Sequence, residues 1–501
     1  MSSDRVGFPA VRFDEELIHS ANGASTGFHV TSDGLHALWM EVDGVRTRIV
    51  YDGVPGTPVD GVELDQQGDP ILYWSKDRRR VAWSAQRGGR FLVGVDGVEH
   101  DSFDALSNEI KPTFSPDGGH VAYGAYVDGA AHLVVDGEVV SEPGLAPVPP
   151  AFSADGARLA YAMQDGLGTA ARQRMIVDGV PGPWHGQILL DPDGWVRPTF
   201  SPDGRRFAYQ AADGQQIRVV VDGAPGPAHL GAFFPTFSPD GQRLVHAGEF
   251  EGGWSLIEDG REGPRFGLVV EPTFSPDSRR LAYGAFFGEK RAVVVDGEVG
   301  PEFTDIWAPV AFSSDGRRVA YLGKRRSKGF LGKGTRWQPV VDGRLGVEVD
   351  EINSSAHFSP DGARVAFSAR RGRTWHVVVN DDLGPAFRET GAPFFSASGR
   401  LGYMARTGQG STIALDQAVG PMVEEIQWSD LEGSTPPFVF SPDGSMAAWV
   451  GAMDGAWHPI VGNAVGPGYG AVKDPTFLDE NTVLFWAARD RDIIRVTASL
   501  L

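Results

Sequence analysis

One phrase recurs along the chain, and this repeat restricts the possible folds more than any other feature of the sequence. PTFSPDG occurs at 198–204 and 235–241, and PTFSPDS follows at 272–278. Twelve units cover nearly the whole chain, so the fold must be one small structural unit repeated twelve times. The acid of the turn, or the residue in its place, recurs at steps of 37 to 48 residues at Asp33, Asp77, Asp117, Asp155, Asp203, Asp240, Asp277, Asp315, Asp361, Ser398, Asp443 and Glu480.

The internal pattern of each unit predicts four antiparallel strands. In the fifth unit a short apolar segment ends at Phe200, and a Pro-Asp-Gly turn leads into an alternating strand at 206–209. A Val-rich strand at 219–221 follows and ends in a second Asp-Gly pair, before a Gly-Pro and a weaker fourth strand. Asp-Gly supplies the positive φ angles of hairpin turns, and β-branched residues favour a pleated, half-buried surface.

The phrase FSPDGxxxAY followed by VVDG resembles the WD40-like repeat of TolB-type β-propellers, over essentially the full length of the chain. The resemblance implies an all-β fold, a β-propeller of twelve four-stranded blades. The Trp-Asp dipeptide of true WD40 repeats is missing from the strand ends, so the repeat is similar to the TolB variety.

The two chain ends are predicted to share one blade. The last unit stops after its third strand, whereas residues 11–18 resemble the fourth-strand segments at 347–352 and 422–426. We therefore expect this N-terminal strand to complete the last blade and leave no exposed edge there. Residues 1–26 then form an N-terminal segment, and the twelve blades occupy 27–501.

The number of rings is a separate question. No linker or composition shift marks a boundary near residue 270. That favours one continuous twelve-bladed ring. Because propellers typically have four to eight blades, the alternative is two six-bladed rings, at 27–270 and 271–501.

Composition and charge exclude several classes of function. The net charge of −20 and the pI of about 5.0 argue against general binding to nucleic acid or to an anionic membrane. The absence of cysteine rules out disulfides, thiolate nucleophiles and Cys-ligated metals. The N-terminus lacks the pattern of a secretory signal, and no run of 18 apolar residues occurs, so we expect a cytoplasmic protein.

Convincing enzyme motifs are absent from the sequence. One GxSxG match occurs at 23–27, but it lies in the lead-in to the first blade, where the strand–turn–helix of a nucleophile elbow is not predicted. HExxH and a full EF-hand pattern are also missing. We expect no catalytic residue, no cofactor and no metal site.

One pair of loops stands out by its charge. In the eighth unit, six cations occur within thirteen residues between the second and third strands, and the equivalent loop of the ninth unit adds three more. Neighbouring blades place equivalent loops side by side, so these cations and the aromatic residues near them are candidates for binding an anionic partner. The alternative is a solvated surface that balances acidic neighbours. The candidates are Lys324, Arg325, Arg326, Lys328, Lys333, Arg336, Trp337, Arg370, Arg371, Arg373 and Trp375.

A second set of candidates is aromatic. Connections from a fourth strand into the next blade surround the mouth of a propeller channel, and exposed aromatic residues there anchor peptides or small ligands. The alternative is that these rings pack between blades. The channel-mouth candidates are Trp195, Phe233, Phe234, Trp307 and Trp428.

Two functional hypotheses follow. The favoured one is a non-catalytic scaffold that binds a protein or peptide partner, with an anionic patch, through its loop face. The alternative is an enzyme or small-ligand binder, similar to propeller lyases or glycosidases, with polar residues converging in a central channel. Fold alone does not decide between them.

Overall fold

The computed structural model describes residues 10–20, 24–31, 33–44, 46–66, 68–166, 168–190, 198–326, 334–416, 418–427, 436–473 and 475–501. Strands make up the regular structure of these residues, apart from one 3-10 turn at Gly168–Ala170. Within the same residues, none of the elements is a helix with the length and apolar character needed to span a bilayer.

The strands form twelve antiparallel sheets, which we number as blades 1 to 12 in chain order. The chain divides into two compact units. One comprises Met1–Gly44, Val50–Pro55 and Thr304–Leu501, and the other comprises Val45–Ile49 and Gly56–Phe303. The first unit holds most of blade 1 and blades 8 to 12, and the second holds blades 2 to 7 together with residues 46–49 of blade 1.

Blades 1 and 8 to 12 consist of the following strands. Blade 1 has Ala24–Val30, Ala37–Asp43, Arg46–Tyr51 and Val54–Pro55. Blade 8 has Asp305–Phe312, Val319–Arg326, Thr335–Val341 and Arg344–Leu345. Blade 9 has Glu351–Ile352, His357–Phe358, Val365–Arg371, Thr374–Val379 and Asp382–Leu383. Blade 10 has Glu389–Thr390, Phe394–Phe395, Leu401–Arg406, Ser411–Leu415 and Ala418–Val419. Blade 11 has Glu425–Ile426, Val439–Phe440, Ala447–Met453, Ala456–Val461 and Ala464–Val465. Blade 12 has Ala471–Val472, Thr476–Phe477, Thr482–Arg489, Asp492–Leu500 and Val11–Ser20.

The strands of blades 2 to 7 follow the same plan. Blade 2 has Gly61–Val62, Leu72–Trp74, Val81–Arg87, Arg90–Val95 and Val98–Glu99. Blade 3 has Ala105–Leu106, Thr113–Phe114, Val121–Val127, Ala130–Val135 and Glu138–Val139. Blade 4 has Ala151–Phe152, Leu159–Asp165, Arg172–Val177 and Val180–Pro181. Blade 5 has Gln187–Ile188, Thr199–Phe200, Phe207–Asp213, Gln216–Val221 and Ala224–Pro225. Blade 6 has Ala232–Phe237, Leu244–Phe250, Gly253–Glu258 and Arg261–Phe266. Blade 7 has Leu268–Phe274, Leu281–Phe287, Lys290–Val295 and Glu298–Val299.

The prediction of an all-β protein with twelve four-stranded propeller blades is confirmed. Where a blade has five segments, its first strand is split into two short pieces that both pair with the second strand; in blade 12 this second strand is Thr482–Arg489. The predicted closing strand is also confirmed, and it is two residues longer than predicted. Val11–Ser20 pairs antiparallel with Asp492–Leu500. The number of rings stays a prediction.

The Pro-Asp-Gly turns are held by a recurring side-chain bridge. The Ser201 hydroxyl donates to Asp203 Oδ1 (2.6 Å) and accepts from the Arg206 N–H (2.9 Å), while Asp203 Oδ1 accepts from the Arg205 N–H (3.1 Å). The hydrogen bond from Ser201 lowers the pKa of Asp203. The repeated acid is therefore a structural residue that replaces missing backbone partners in the turn.

One of the twelve predicted turn positions is wrong by one residue. In the last unit Asp479, and not Glu480, accepts the hydrogen bond from the backbone N–H of Asn481 (2.8 Å). In the tenth unit two hydroxyls replace the acid, since Ser396 Oγ lies 3.0 Å from Ser398 Oγ. These two units depart from the repeated phrase, yet their turns still place a polar side chain beside the backbone.

A repeated arginine joins one blade to the next, a role that the repeated phrase did not predict. In blade 6, Arg243 Nε donates to Glu258 (2.6 Å), and Nη1 donates to the carbonyl of Ser278 in blade 7 (2.8 Å). The guanidinium also lies 4.8 Å from the ring centroid of Phe274. Arginines stack on the next blade's phenylalanine in the same way at Arg80, Arg158, Arg206, Arg318 and Arg364.

Replacing Arg243 is expected to weaken the packing between blades 6 and 7. Arg243→Ala should lower the free energy of unfolding by about 2 kcal/mol, because it removes a charge-assisted hydrogen bond and a cation–π contact. Arg279→Ala is the matched control. Arg279 is 86% exposed and lies 3.9 Å from Asp277, so its loss should change stability by less than about 0.5 kcal/mol. If urea melts showed equal losses of stability in the two variants, Arg243 would have no special role in joining the blades.

A buried histidine pair at the junction of blades 5 and 6 predicts acid sensitivity. His246 and His229 are 6% and 4% exposed, and their Nε2 atoms lie 3.5 Å apart. Burial lowers the pKa of His246 to about 3, with a further contribution from His229. In the unfolded chain this histidine takes up a proton near pH 6.5, whereas in the folded protein it stays neutral until a much lower pH. The free energy of unfolding is therefore highest above pH 6.5 and decreases as the pH falls below it.

His246→Phe should therefore reduce the acid sensitivity, since a tyrosine ring fills the equivalent position in blades 5 and 7. Between pH 6.5 and pH 4.5 the slope of unfolding free energy against pH should fall by up to about 1.4 kcal/mol per pH unit. Urea melts across this range measure the slope. A variant as acid-sensitive as the parent protein would rule out His246 as the cause.

Candidate functional site

The cationic candidates lie at one end of blades 8 and 9, both in the same compact unit. Lys324 and Arg325 belong to the second strand of blade 8, and Arg336 and Trp337 to its third strand, so the loop between them is shorter than predicted. Arg326 is the last residue of the second strand. We call the exposed ends of these two hairpins, at residues 324–326, 336 and 370–373, the basic hairpin surface. Lys328 and Lys333 lie outside the described residues.

An acidic pair between the two hairpins neutralises part of the charge. Arg336 forms an ion pair with Asp350, whose carboxylate also accepts from the N–H of Gly372 at the tip of the blade 9 hairpin (2.6 Å). Arg370 pairs with Glu351 (2.7 Å). Asp350 thereby ties the two hairpins together through Arg336 and Gly372, whereas the pair of Arg370 with Glu351 lies within blade 9.

Three of the remaining arginines face solvent, whereas Arg325 is half-buried. Arg326, Arg371 and Arg373 are exposed and form no ion pair with another described residue. They extend from hairpins whose register is fixed by the pairs Arg326–Thr335 and Arg371–Thr374. Three guanidinium groups on neighbouring hairpins can donate several hydrogen bonds to carboxylates of a partner.

The two tryptophans beside the basic hairpin surface are less exposed to solvent than predicted. Trp337 is buried at 7% exposure, and Trp375 is only partly exposed. Lys324 Nζ lies 5.4 Å from the centroid of the Trp337 ring, so this lysine covers the ring. The prediction of a tryptophan open to a partner is wrong for Trp337, because strand pairing turns its side chain into the core of blades 8 and 9.

Two of the five channel-mouth candidates have described side chains, and each of these contacts a tryptophan of its own blade. Phe233 and Trp307 lie on the first strands of blades 6 and 8, in different compact units, and are 38% and 37% exposed. Phe233 stacks on Trp254 at 5.0 Å, and Trp307 meets Trp337 edge-on at 6.1 Å. Trp195, Trp428 and the side chain of Phe234 lie outside the described residues.

The polar cluster most relevant to an enzyme is at the junction of blades 2 and 3. Glu63 accepts from Lys111 (2.8 Å), Ser84 (2.8 Å) and Tyr73 (3.1 Å). Burial acts to raise the pKa of Glu63, but the hydrogen bonds from Lys111 and Ser84 outweigh it, and the pKa is lowered. An ionised, fully partnered carboxylate suits a structural ion pair better than a general acid. Among the described side chains, no group of three or more potential ligands gathers where it could hold a metal ion.

Comparison with known proteins adds a likeness of fold. No protein-family model and no curated protein matches the chain. A solved structure of a eukaryotic initiation factor is 14% identical, covers 74% of this chain and 89% of its own, and has a TM-score of 0.33. TolB from Acinetobacter baumannii is 13% identical over 60% of this chain and 79% of its own, with a TM-score of 0.23.

The third comparison is the β-propeller domain of the Trilobed protease from Pyrococcus furiosus. It is 12% identical, covers 68% of this chain and 95% of its own, and has a TM-score of 0.26. At these values the likenesses carry no argument about function. The strand pairing of this chain shows a multi-blade β-propeller, and solved structures similar to it include TolB and a propeller protease.

Proposed function

We propose that the protein is a non-catalytic β-propeller scaffold that binds an acidic segment of a partner protein on the basic hairpin surface. The observation that carries the proposal is the exposure of Arg326, Arg371 and Arg373 on two hairpins that Asp350 ties together. On a chain of net charge −20, such a local excess of arginine gives an acidic partner one favoured place to dock.

Reversal of these charges tests the proposal. The probe is a fluorescein-labelled decaglutamate peptide, and its binding is followed by fluorescence anisotropy at 20 and 150 mM salt. The triple variant R326E/R371E/R373E should bind the probe at least tenfold more weakly, because each reversal replaces attraction with repulsion. Added salt should weaken binding of the parent protein, since exposed charges are screened.

The control reverses three arginines on other exposed turns. Arg79, Arg279 and Arg317 are 65%, 86% and 85% exposed, so R79E/R279E/R317E changes the net charge by the same amount. This control should bind the probe within about twofold of the parent protein. A control as weak as the triple variant would mean that net charge, and not this surface, governs binding.

A further inference from the structure

A cavity of about 550 Å³ opens between blades 4 and 5, which belong to the same compact unit. We call it the 4/5 groove. Its lining is mostly apolar and includes Met175 and Tyr209, and it contains Gly182 from blade 4 and Gly223 from blade 5. A volume of this size is typical of sites that hold a ligand or a partner's side chain.

The equivalent position between blades 2 and 3 is filled by a ring from the protein itself. There His100 stands where blade 4 has Gly182, and Gly137 corresponds to Gly223. The His100 ring stacks on Tyr123 at 6.2 Å, and its Nδ1 lies 3.3 Å from the Tyr123 hydroxyl. The ring also lies against Gly137, where an added Cβ would come within 3.2 Å of it.

The equivalent position between blades 11 and 12 is also filled by a ring, from the opposite side. Gly466 corresponds to Gly182, since each donates its N–H to a third-strand carbonyl, at 2.9 and 2.8 Å. The ring belongs to Phe13 of the closing strand, which packs against the core of blades 11 and 12. A Cβ at Gly466 would lie 2.9 Å from this ring. An extended segment can thus deliver an aromatic side chain to this place.

In the 4/5 groove both flanking positions are glycine. A Cβ at Gly223 would meet nothing within 4 Å, and one at Gly182 would lie 3.2 Å from the Met175 carbonyl oxygen and 3.7 Å from the Tyr209 hydroxyl. The space that His100 and Phe13 fill in the other two places is therefore open, above a tyrosine that is 1% exposed. A flat ring entering it beside Gly182 would approach the Tyr209 hydroxyl, the side-chain atom that a Cβ at Gly182 would meet at 3.7 Å.

The charges around the 4/5 groove favour an acidic segment. Two aspartates line the cavity, but Asp178 pairs with Arg158 (2.7 Å) and Asp222 with Arg206 (3.4 Å). Arg205, which also lines it, is 86% exposed and lies 3.8 Å from the nearest carboxylate oxygen of Asp203. The protein's own ring from an extended segment, Phe13, is followed by Asp-Glu-Glu.

We propose that the 4/5 groove binds an aromatic side chain carried on an extended acidic segment of a partner protein. This is a second interaction surface, with its own recognition element. It does not depend on the basic hairpin surface, whose residues lie in blades 8 and 9.

The test uses a fluorescein-labelled peptide with the sequence of residues 11–18, VRFDEELI, and the full-length R326E/R371E/R373E protein, so that the basic hairpin surface cannot capture it. In this background Gly182→His places an imidazole where His100 stands in blade 2, and it should weaken binding at least tenfold. Val180→Glu is a second variant that will fold, because Val180 is 67% exposed and Glu138 and Glu298 occupy the equivalent position. It should also weaken binding at least tenfold, by repelling the acidic peptide.

The ring itself is tested by a peptide with alanine in place of phenylalanine, which should bind at least tenfold more weakly. Three results would overturn the proposal: no binding of VRFDEELI up to 1 mM, equal binding of the alanine peptide, or unchanged binding by both groove variants. Because the assay uses the charge-reversed protein, failure here leaves the basic hairpin surface standing. Weak decaglutamate binding by the parent protein would likewise leave the groove standing.

Discussion

Deletion of residues 1–20 is expected to lower the melting temperature by at least about 10 °C. The deletion removes a whole strand of blade 12, with the register from Val11–Leu500 to Ser20–Asp492. It also removes the packing of Phe13 and the charge-assisted bonds from Arg489 to Glu15. A loss of only about 4 kcal/mol corresponds to roughly 10 °C in a unit of this size.

Two point variants test how much of this stability comes from the packing of the Phe13 side chain. Phe13→Ala should cost about 2 to 3 kcal/mol, because a partly buried aromatic ring leaves a cavity. Leu17→Ala on the same strand is the control, since Leu17 is 60% exposed and its loss should change stability by less than about 0.5 kcal/mol. A deletion mutant that melts with the parent protein would contradict the closure.

The second large effect is expected at His19, where the closing strand meets blade 1. His19 Nε2 lies 2.8 Å from a carboxylate oxygen of Glu41, whose side chain is 5% exposed. The indole N–H of Trp39 donates to the same oxygen over a longer distance, 3.3 Å. His19→Ala leaves the buried Glu41 carboxylate with only the longer hydrogen bond from Trp39. We therefore expect a loss of about 3 kcal/mol in the free energy of unfolding.

The repeat itself supplies the control for this pair. Where blade 1 has Glu41, blades 2, 3 and 5 have the buried alanines Ala85, Ala125 and Ala211. The double variant His19→Ala/Glu41→Ala should therefore recover most of the lost stability, because it removes the carboxylate together with its partner. A double variant as unstable as the single one would show that His19 acts through packing instead.

Much of the fold could be predicted because each turn repeats one local solution. Ser201 and Asp203 satisfy the backbone of their own turn, so the phrase carries its structure within a few residues. The closing strand was predicted from its likeness to the segments at 347–352 and 422–426, but that comparison was only partly right. Val349 and Val423 bridge the third strands of blades 8 and 10, whereas 351–352 and 425–426 are the first strands of blades 9 and 11. Glu480 was the wrong anchor because Asp479, one residue earlier, carries the shorter acid.

The candidate site could be predicted less well from the sequence, because the density of cations along the chain does not show which of them form ion pairs with acidic side chains. Arg336 and Arg370 are neutralised by Asp350 and Glu351, residues that precede the blade 9 hairpin by about twenty positions. The burial of Trp337 depends on strand register, which the composition of the loop does not give. The 4/5 groove could not be predicted from the sequence, because the glycine pair at 182 and 223 recurs at the equivalent positions 226 and 260 and again at 263 and 297.

The most direct test of the scaffold account is capture of a partner from native lysate. The parent protein, the R326E/R371E/R373E variant and the R79E/R279E/R317E control are immobilised at equal density, and the retained proteins are identified by mass spectrometry. The account predicts a partner with an acidic segment, retained by the parent protein and the control and lost from the triple variant. Retention of the same partners by all three proteins would contradict it.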